Sequence, residues 1–184
     1  PKPQTPNPKP QNPLPTNDLK LQNARCSDVK YKLDMNPSTR IQKELSLLNT
    51  DKVDGLDIFP DPKDFRHYNL RIRGPPGSPF ESGVFEAEML LPEDYPMSAP
   101  TVLFTTKIFH PNIDKLGRVC LDILKKNWTP ALQMKAVMLS LQALLASPGE
   151  DDPLNVEAGN LWKNDKKKAE ATAREWTKLY ATGK

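Results

Sequence analysis

Cys120 lies in the segment KIFHPNIDKLGRVCLDILKKNWTP, downstream of His110, Pro111 and Asn112 and just beyond Gly117, which permits a sharp turn. Between Val119 and Leu121 a cysteine reads by default as a small buried hydrophobe. Asp114, Lys115 and Arg118 change that reading, because charges in the same loop keep it wet and leave the thiol reachable. A thiol nucleophile usually works with a histidine base, as in Cys/His hydrolases. The chain has 2 histidines. His67 falls on the polar face of an expected strand, and His110 is followed at once by proline, so neither offers a freely orientable imidazole beside Cys120. A zinc site is disfavoured too, since the paired short spacings of its ligands are missing. No metal and no cofactor is expected.

A thiol without a base still works when its acyl donor arrives activated, because exchanging one thioester for another is close to thermoneutral. An acyl carrier meets that condition. The harder step is aminolysis: a lysine with pKa near 10.4 is neutral in only about one molecule in 2,500 at pH 7, equivalent to roughly 4.6 kcal/mol. A site for that step needs a carboxylate near the incoming amine, and GEDDPL supplies Asp151 and Asp152 in a turn able to fold back toward the cysteine loop. It also needs a donor for the tetrahedral oxyanion. The side-chain amide of Asn112 is the candidate.

These residues must be positioned by a fold that 184 residues can build. That length suits one domain plus a tail. Residues 1–36 form a proline-rich N-terminal extension, read as a flexible spacer whose spacing also suits a polyproline II ligand. Cys26 sits there without metal-ligand spacing and is read as incidental. Lys+Arg 26 against Asp+Glu 23 gives a net charge of +3, a mixed surface that implies no nucleic-acid partner. No apolar run approaches the roughly 20 residues that span a bilayer, so no membrane partner is expected. With 2 cysteines there is no disulfide scaffold, and a reducing compartment, cytoplasm or nucleus, is expected.

The domain is expected over residues 37–184. PSTRIQKELSLL places Ile41, Leu45 and Leu48 on one helical stripe, with Ser38 or Thr39 available as cap. Four strands follow, LDIFP, RHYNLRIR, GVFEAEMLL and TVLFTT, separated by Gly/Pro and Asp/Pro punctuation. Tyr68, Leu70 and Ile72 alternate with His67, Asn69 and Arg71, so one face of the sheet is dry and the other wet. Short connections favour an antiparallel meander. After an irregular stretch from Lys107 to Asn127, WTPALQMKAVMLSLQALLASP reads as a central buried helix, with Thr129 as cap and Pro130 in its first turn. Helices over about 155–163 and 166–180 complete an α+β domain.

The segments HPNIDKLGRVCLDIL, Trp128 with TPAL, DDPL and AREWTKLYA resemble the signature segments of ubiquitin-conjugating enzymes, in order and spacing, over about Pro37 to Thr182. The stretch DKLGRVCLDILKKNWTPALQ is most similar to the member that builds chains through one ubiquitin lysine with an inactive variant partner. TRIQKEL and AREWT look more like the broad-specificity members. The resemblance implies the UBC fold, with an N-terminal helix, a four-stranded antiparallel sheet and three further helices. It implies that Cys120 takes ubiquitin as a thioester from the activating enzyme and passes it to a lysine amine. Asn112 would serve as oxyanion donor or loop organiser, and Asp152 would orient the acceptor lysine. His110, Pro111, Asp122 and Leu154 would shape the site.

By the same resemblance, RING or U-box ligases would grip Arg40, Pro96, Met97, Thr129, Pro130 and Ala131. A variant partner would dock near Glu88, Leu90 and Leu103, positions that carry a glutamate, an aromatic and an arginine in the chain-building pattern, of which only the glutamate is kept here. That partnership is expected to be weakened or re-specified. Gly149 and Glu150 stand where Asn and Pro are usual, a departure that bears on the rigidity of the loop before Asp151. The alternatives are conjugation of a ubiquitin-like modifier and a non-catalytic ubiquitin-binding scaffold, the latter opposed by the joint presence of Cys120, Asn112 and Asp152.

Overall fold

The computed structural model describes residues 39–149 and 152–183. The proline-rich extension, Cys26, Pro37, Ser38, Glu150 and Asp151 lie outside the described residues. The elements run α1 (Thr39–Thr50), β1 (Leu56–Pro60), β2 (His67–Arg73), β3 (Val84–Leu90), β4 (Thr101–Phe104), α2 (Met134–Ala146), α3 (Val156–Asn164) and α4 (Lys166–Tyr180), with a 3-10 turn at Asp122–Leu124. The strands form one antiparallel meander in the order β1-β2-β3-β4.

The expected alternation sets the sheet's two faces. Ile72 lies opposite Leu56 and Phe85, and Leu70 lies opposite Ile58 and Ala87, so the apolar set falls on one side. Tyr68, Leu70, Ile72, Phe85, Ala87, Met89, Val102 and Phe104 are buried there. Met134, Val137, Met138, Leu141 and Leu145 of α2 are buried in the same core. Each such large side chain withdrawn from water contributes about 1.5–3 kcal/mol. The other face carries His67, Asn69, Arg71 and Glu86, with Arg71 Nε 3.3 Å from Glu86 Oε1.

The start of α2 differs from the expectation. Thr129 does not cap it and Pro130 is not in its first turn: Thr129 closes a separate turn by accepting from the Leu132 amide at 2.9 Å, and the helix begins at Met134. The reason lies in α1. Arg40 Nη2 donates to the carbonyls of Pro130 (3.0 Å) and Leu132 (2.9 Å), holding those residues out of helical geometry. Gln133 supplies no side-chain cap, and the Glu44 carboxylate takes the Met134 amide at 2.7 Å. The later helices carry local caps. Asn155 Oδ1 accepts from the Ala158 amide and Asp165 Oδ1 from the Lys168 amide.

At the far end of the domain, Phe109 is clasped by aromatic rings from α3 and α4. Its centroid lies 5.8 Å from that of Trp162 and 5.7 Å from that of Trp176. That clasp fixes the chain immediately before His110.

Candidate active site

The segment carrying Cys120 is irregular yet closely tied. Phe104 donates its amide to the Gly117 carbonyl at 2.8 Å, and isolated antiparallel bridges pair Leu103 with Arg118 and Ile113 with Val119. The turn between them is organised by Asp114. Its Oδ1 accepts from the amides of Leu116 and Arg118, both at 2.9 Å, and Oδ2 lies 2.6 Å from Arg118 Nε. Gly117 has φ 83, and a Cβ there would sit 1.9 Å from the Phe104 carbonyl oxygen, so only glycine fits. Beyond this turn the Cys120 amide donates to the Asn112 carbonyl at 2.8 Å.

His110 is fully buried, and both ring nitrogens are engaged. The Asn112 amide donates to Nδ1 at 3.0 Å, and Nε2 lies 3.1 Å from the Leu144 carbonyl oxygen. An amide only donates and a carbonyl only accepts, so the ring is the neutral tautomer with its proton on Nε2. Burial pushes its pKa down to about 4, against a smaller opposing effect of the Leu144 carbonyl. His110 is thus a structural peg, and its imidazole has no position left from which to act as base. His67 stays on the wet face, 3.6 Å from Asp61 Oδ2 and 3.5 Å from Glu88 Oε2.

The Asn112 side chain is held from the loop after α2. The Gly149 amide donates to Asn112 Oδ1 at 2.8 Å, and among the described residues no partner is found for Nδ2. A Cβ on Gly149 would lie 3.2 Å from Nδ2 and 3.3 Å from Oδ1, so the unusual glycine lets the loop approach closely. Past residues 150 and 151 the chain is anchored again, with the Asn155 amide donating to the Pro111 carbonyl at 2.9 Å. Pro153 packs onto α3 at Gly159, where a Cβ would meet it at 2.3 Å. Asp152, at φ 49, and Leu154 are exposed on this segment.

Lys125 is the residue that sequence reasoning missed. The 3-10 turn at Asp122–Leu124 folds the chain back, and Lys125 Nζ donates to Cys120 Sγ at 3.0 Å. The Lys125 pKa is raised, first by that hydrogen bond, then by charge on Cys120, with Asp152 and Asp122 adding to it. Asp122 also lies 3.5 Å from Lys126 Nζ. The turn is only three residues long and has no side-chain cap, so nothing local in the irregular stretch from Lys107 to Asn127 marks it in the sequence.

A half-buried thiol, a side-chain amide pinned nearby by a backbone amide, and a histidine withdrawn into the core describe a cysteine site with no imidazole base. The sequence pattern of the family described as ubiquitin-conjugating enzyme matches residues 40–177. The chain belongs to the ubiquitin-conjugating enzyme family. It is 54% identical over 145 residues to ubiquitin-conjugating enzyme E2 13 of Saccharomyces cerevisiae, covering 79% of this chain and 95% of that one. It is 53% identical over 142 residues to ubiquitin-conjugating enzyme E2 N of Drosophila melanogaster, covering 77% and 94%. The solved E2 domain of a Toxoplasma gondii ubiquitin conjugating enzyme aligns with TM-score 0.72 at 37% identity, covering 77% of this chain and 97% of that domain. Ubiquitin-conjugating enzymes are cysteine-thioester transferases, and Cys120 is the free cysteine among the described residues.

Two further surfaces of this ubiquitin-conjugating enzyme can be placed. Arg40 joins α1 to Pro130, and the Trp128 indole donates to the Pro96 carbonyl at 2.9 Å, so the three segments bearing Arg40, Pro96, Met97, Thr129, Pro130 and Ala131 converge. Met97 is 69 % exposed at their tip. The Arg40 guanidinium is turned inward onto Glu44 and the two loop carbonyls. On the sheet's wet face Glu88 lies directly opposite Leu103, and Leu90 opposite Thr101. Leu90 is exposed, whereas Leu103 is half-buried.

Proposed function

We propose that Cys120 is the residue on which this enzyme carries ubiquitin, and that Asn112 and Asp152 serve the transfer to lysine. The observation that carries this reading is the coupling of Cys120 to Asn112. The Cys120 amide is bonded to the Asn112 carbonyl, while the Asn112 side chain accepts from Gly149 through Oδ1, and among the described residues none accepts from Nδ2, the group suited to donate to the tetrahedral oxyanion. Asp152 stands on the neighbouring exposed turn, close enough to add to the field on Lys125, and is suited to orient an incoming lysine amine.

The same reading assigns ligase binding to the face where Arg40, Pro96, Met97, Thr129, Pro130 and Ala131 converge, and variant-partner binding to the strand face around Glu88, Leu90 and Leu103. Chain building through one ubiquitin lysine rests on the likeness of the Cys120 segment to that branch of the family. A thioester-forming thiol must stay reduced, which supports cytoplasm or nucleus as the place of work.

The test is a reaction with activating enzyme, ATP and a panel of ubiquitin-type modifiers, scored on a non-reducing gel for a thiol-sensitive adduct. Ubiquitin is expected to charge. Cys120→Ser should give a thiol-resistant oxyester, and Cys26→Ser should change nothing. Full charging by Cys120→Ala would falsify the assignment, and preference for another modifier would move the enzyme to a ubiquitin-like pathway.

A further inference from the structure

We propose that Lys125 is a catalytic residue: its ammonium is the charge partner of the Cys120 sulfur through both acyl transfers, supplying electrostatically what a histidine base would supply in a thiol hydrolase. This rests on the reading of Cys120 as the carrier.

Lys125 is held in place from two sides. Its amide donates to the Asp122 carbonyl at 3.0 Å, and its own carbonyl accepts from the Trp128 amide at 3.2 Å, so the backbone is fixed at both ends of the residue. The side chain then reaches the sulfur at 3.0 Å, a charge-assisted contact. Asp122 and Asp152 bear on the ammonium, and Asp122 is shared with Lys126. The pKa of Lys125 is raised, first by the hydrogen bond to Cys120, so the contact favours the ammonium form.

The sulfur bears negative charge whenever a bond to it changes. When ubiquitin is accepted, the Cys120 thiolate attacks the carbonyl carbon of the incoming thioester, its proton having gone to solvent. A new C–S bond forms, and the donor sulfur leaves with the electron pair of the old one. When ubiquitin is passed on, the neutral acceptor amine forms the C–N bond and gives its surplus proton to solvent, the C–S bond breaks, and its electron pair returns to Cys120 facing Lys125. An ammonium fixed beside the sulfur stabilises the charge in both directions, as a preorganised group requires.

The test uses the full chain carrying Cys26→Ser, with K125M, K125R and C120A added singly. Alkylation of Cys120 by iodoacetamide is followed across pH and ionic strength, beside single-turnover charging and discharge of ubiquitin. K125M is expected to alkylate about tenfold more slowly near pH 7, the effect of one charge-assisted contact discounted for solvent, with similar losses in charging and discharge. The deficit should narrow with added salt. K125R keeps the charge and has no nucleophilic amine, and it should stay within about threefold of the parent. Equal rates and equal salt response in K125M and parent, with C120A unable to charge, overturn the Lys125 proposal alone. K125R as slow as K125M overturns it as well, because charge is then not the active property. Charging by C120A removes the Cys120 reading and the proposal together.

Discussion

The carboxylate of Glu44 in α1 accepts the backbone amide of Met134, 90 residues later in the chain, and so closes the first turn of α2 from outside that helix. Glu44 is 2 % exposed, and its remaining acceptor capacity is taken by the Tyr95 hydroxyl at 2.8 and 3.0 Å and by Arg40 Nε. Burial, and then the Glu44 carboxylate, push the Tyr95 phenol above its ordinary value, so it remains a donor. One carboxylate therefore fastens the central helix to two of the loops assigned to ligases.

Removing that carboxylate leaves a buried amide, a buried hydroxyl and a guanidinium without their shared acceptor. Glu44→Ala is expected to lower stability by about 2–4 kcal/mol in urea unfolding, and Glu44→Gln by less, since it keeps one acceptor oxygen. Ligase-stimulated discharge should suffer more than ligase-free discharge. A Glu44→Ala protein as stable as its parent would show that the network contributes nothing net.

Asn112 offers a way to separate anchoring from chemistry. Asn112→Asp keeps an acceptor for the Gly149 amide and loses the Nδ2 donor, while Asn112→Ala loses both. Discharge to free lysine should fall about 10² to 10³ in each if the donor meets the oxyanion, with charging of Cys120 largely intact. Thermal stability should drop in Asn112→Ala only. If Asn112→Asp discharges normally, the side chain serves the loop and not the transition state.

The depressed pKa of His110 makes stability depend on mild acid. Well above pH 6.5 folded and unfolded forms are both neutral at this residue. As pH falls below 6.5 the unfolded chain gains a proton that the folded chain takes up only near 4, so stability is lost across that window. Between pH 6.5 and 5, ahead of most carboxylate titration, the loss from this group is about 2 kcal/mol. The urea midpoint of the parent should fall over that interval by more than that of His110→Gln. Parallel curves for the two proteins would mean that His110 does not control the acid limb.

On the wet face of the sheet, loss of the aromatic and the arginine of the chain-building pattern predicts weak binding of a generic variant partner and chains of mixed linkage. Leu90→Phe with Leu103→Arg should then raise affinity tenfold or more in calorimetry, as anchors of these types dominate interfaces. Tight binding by the parent, with a single linkage, would show that the leucines already serve as anchors.

Period and punctuation made most of the scaffold readable. The first strand and the last helix fall on the residues expected, Leu56–Pro60 and Lys166–Tyr180, because LDIFP is bounded by turn residues and Ala169, Ala173 and Trp176 repeat with helical spacing. What could not be read involves partners distant in sequence. Glu44 shares the stripe of Ile41 and Leu48, yet its charge argues for solvent until Arg40, Tyr95 and Met134 are brought around it. For the same reason Thr129 looked like a cap, since the arginine that holds the next turn open sits in α1. The Cys120, Asn112 and His110 cluster was legible as types. The contact of Lys125 with the sulfur needed the 3-10 turn that no local pattern announced.

The segment bearing Cys120 also does something for β4, the last strand of the sheet. Its outer side would present unpaired backbone groups, and the bridge from Leu103 to Arg118 with the Phe104 bond to Gly117 covers them. An uncovered strand edge is a template for intermolecular pairing and aggregation. The loop bearing Cys120 therefore also covers part of one of the sheet's two edges, and a substitution that unseats it should remove protein from solution as well as activity from the protein that remains.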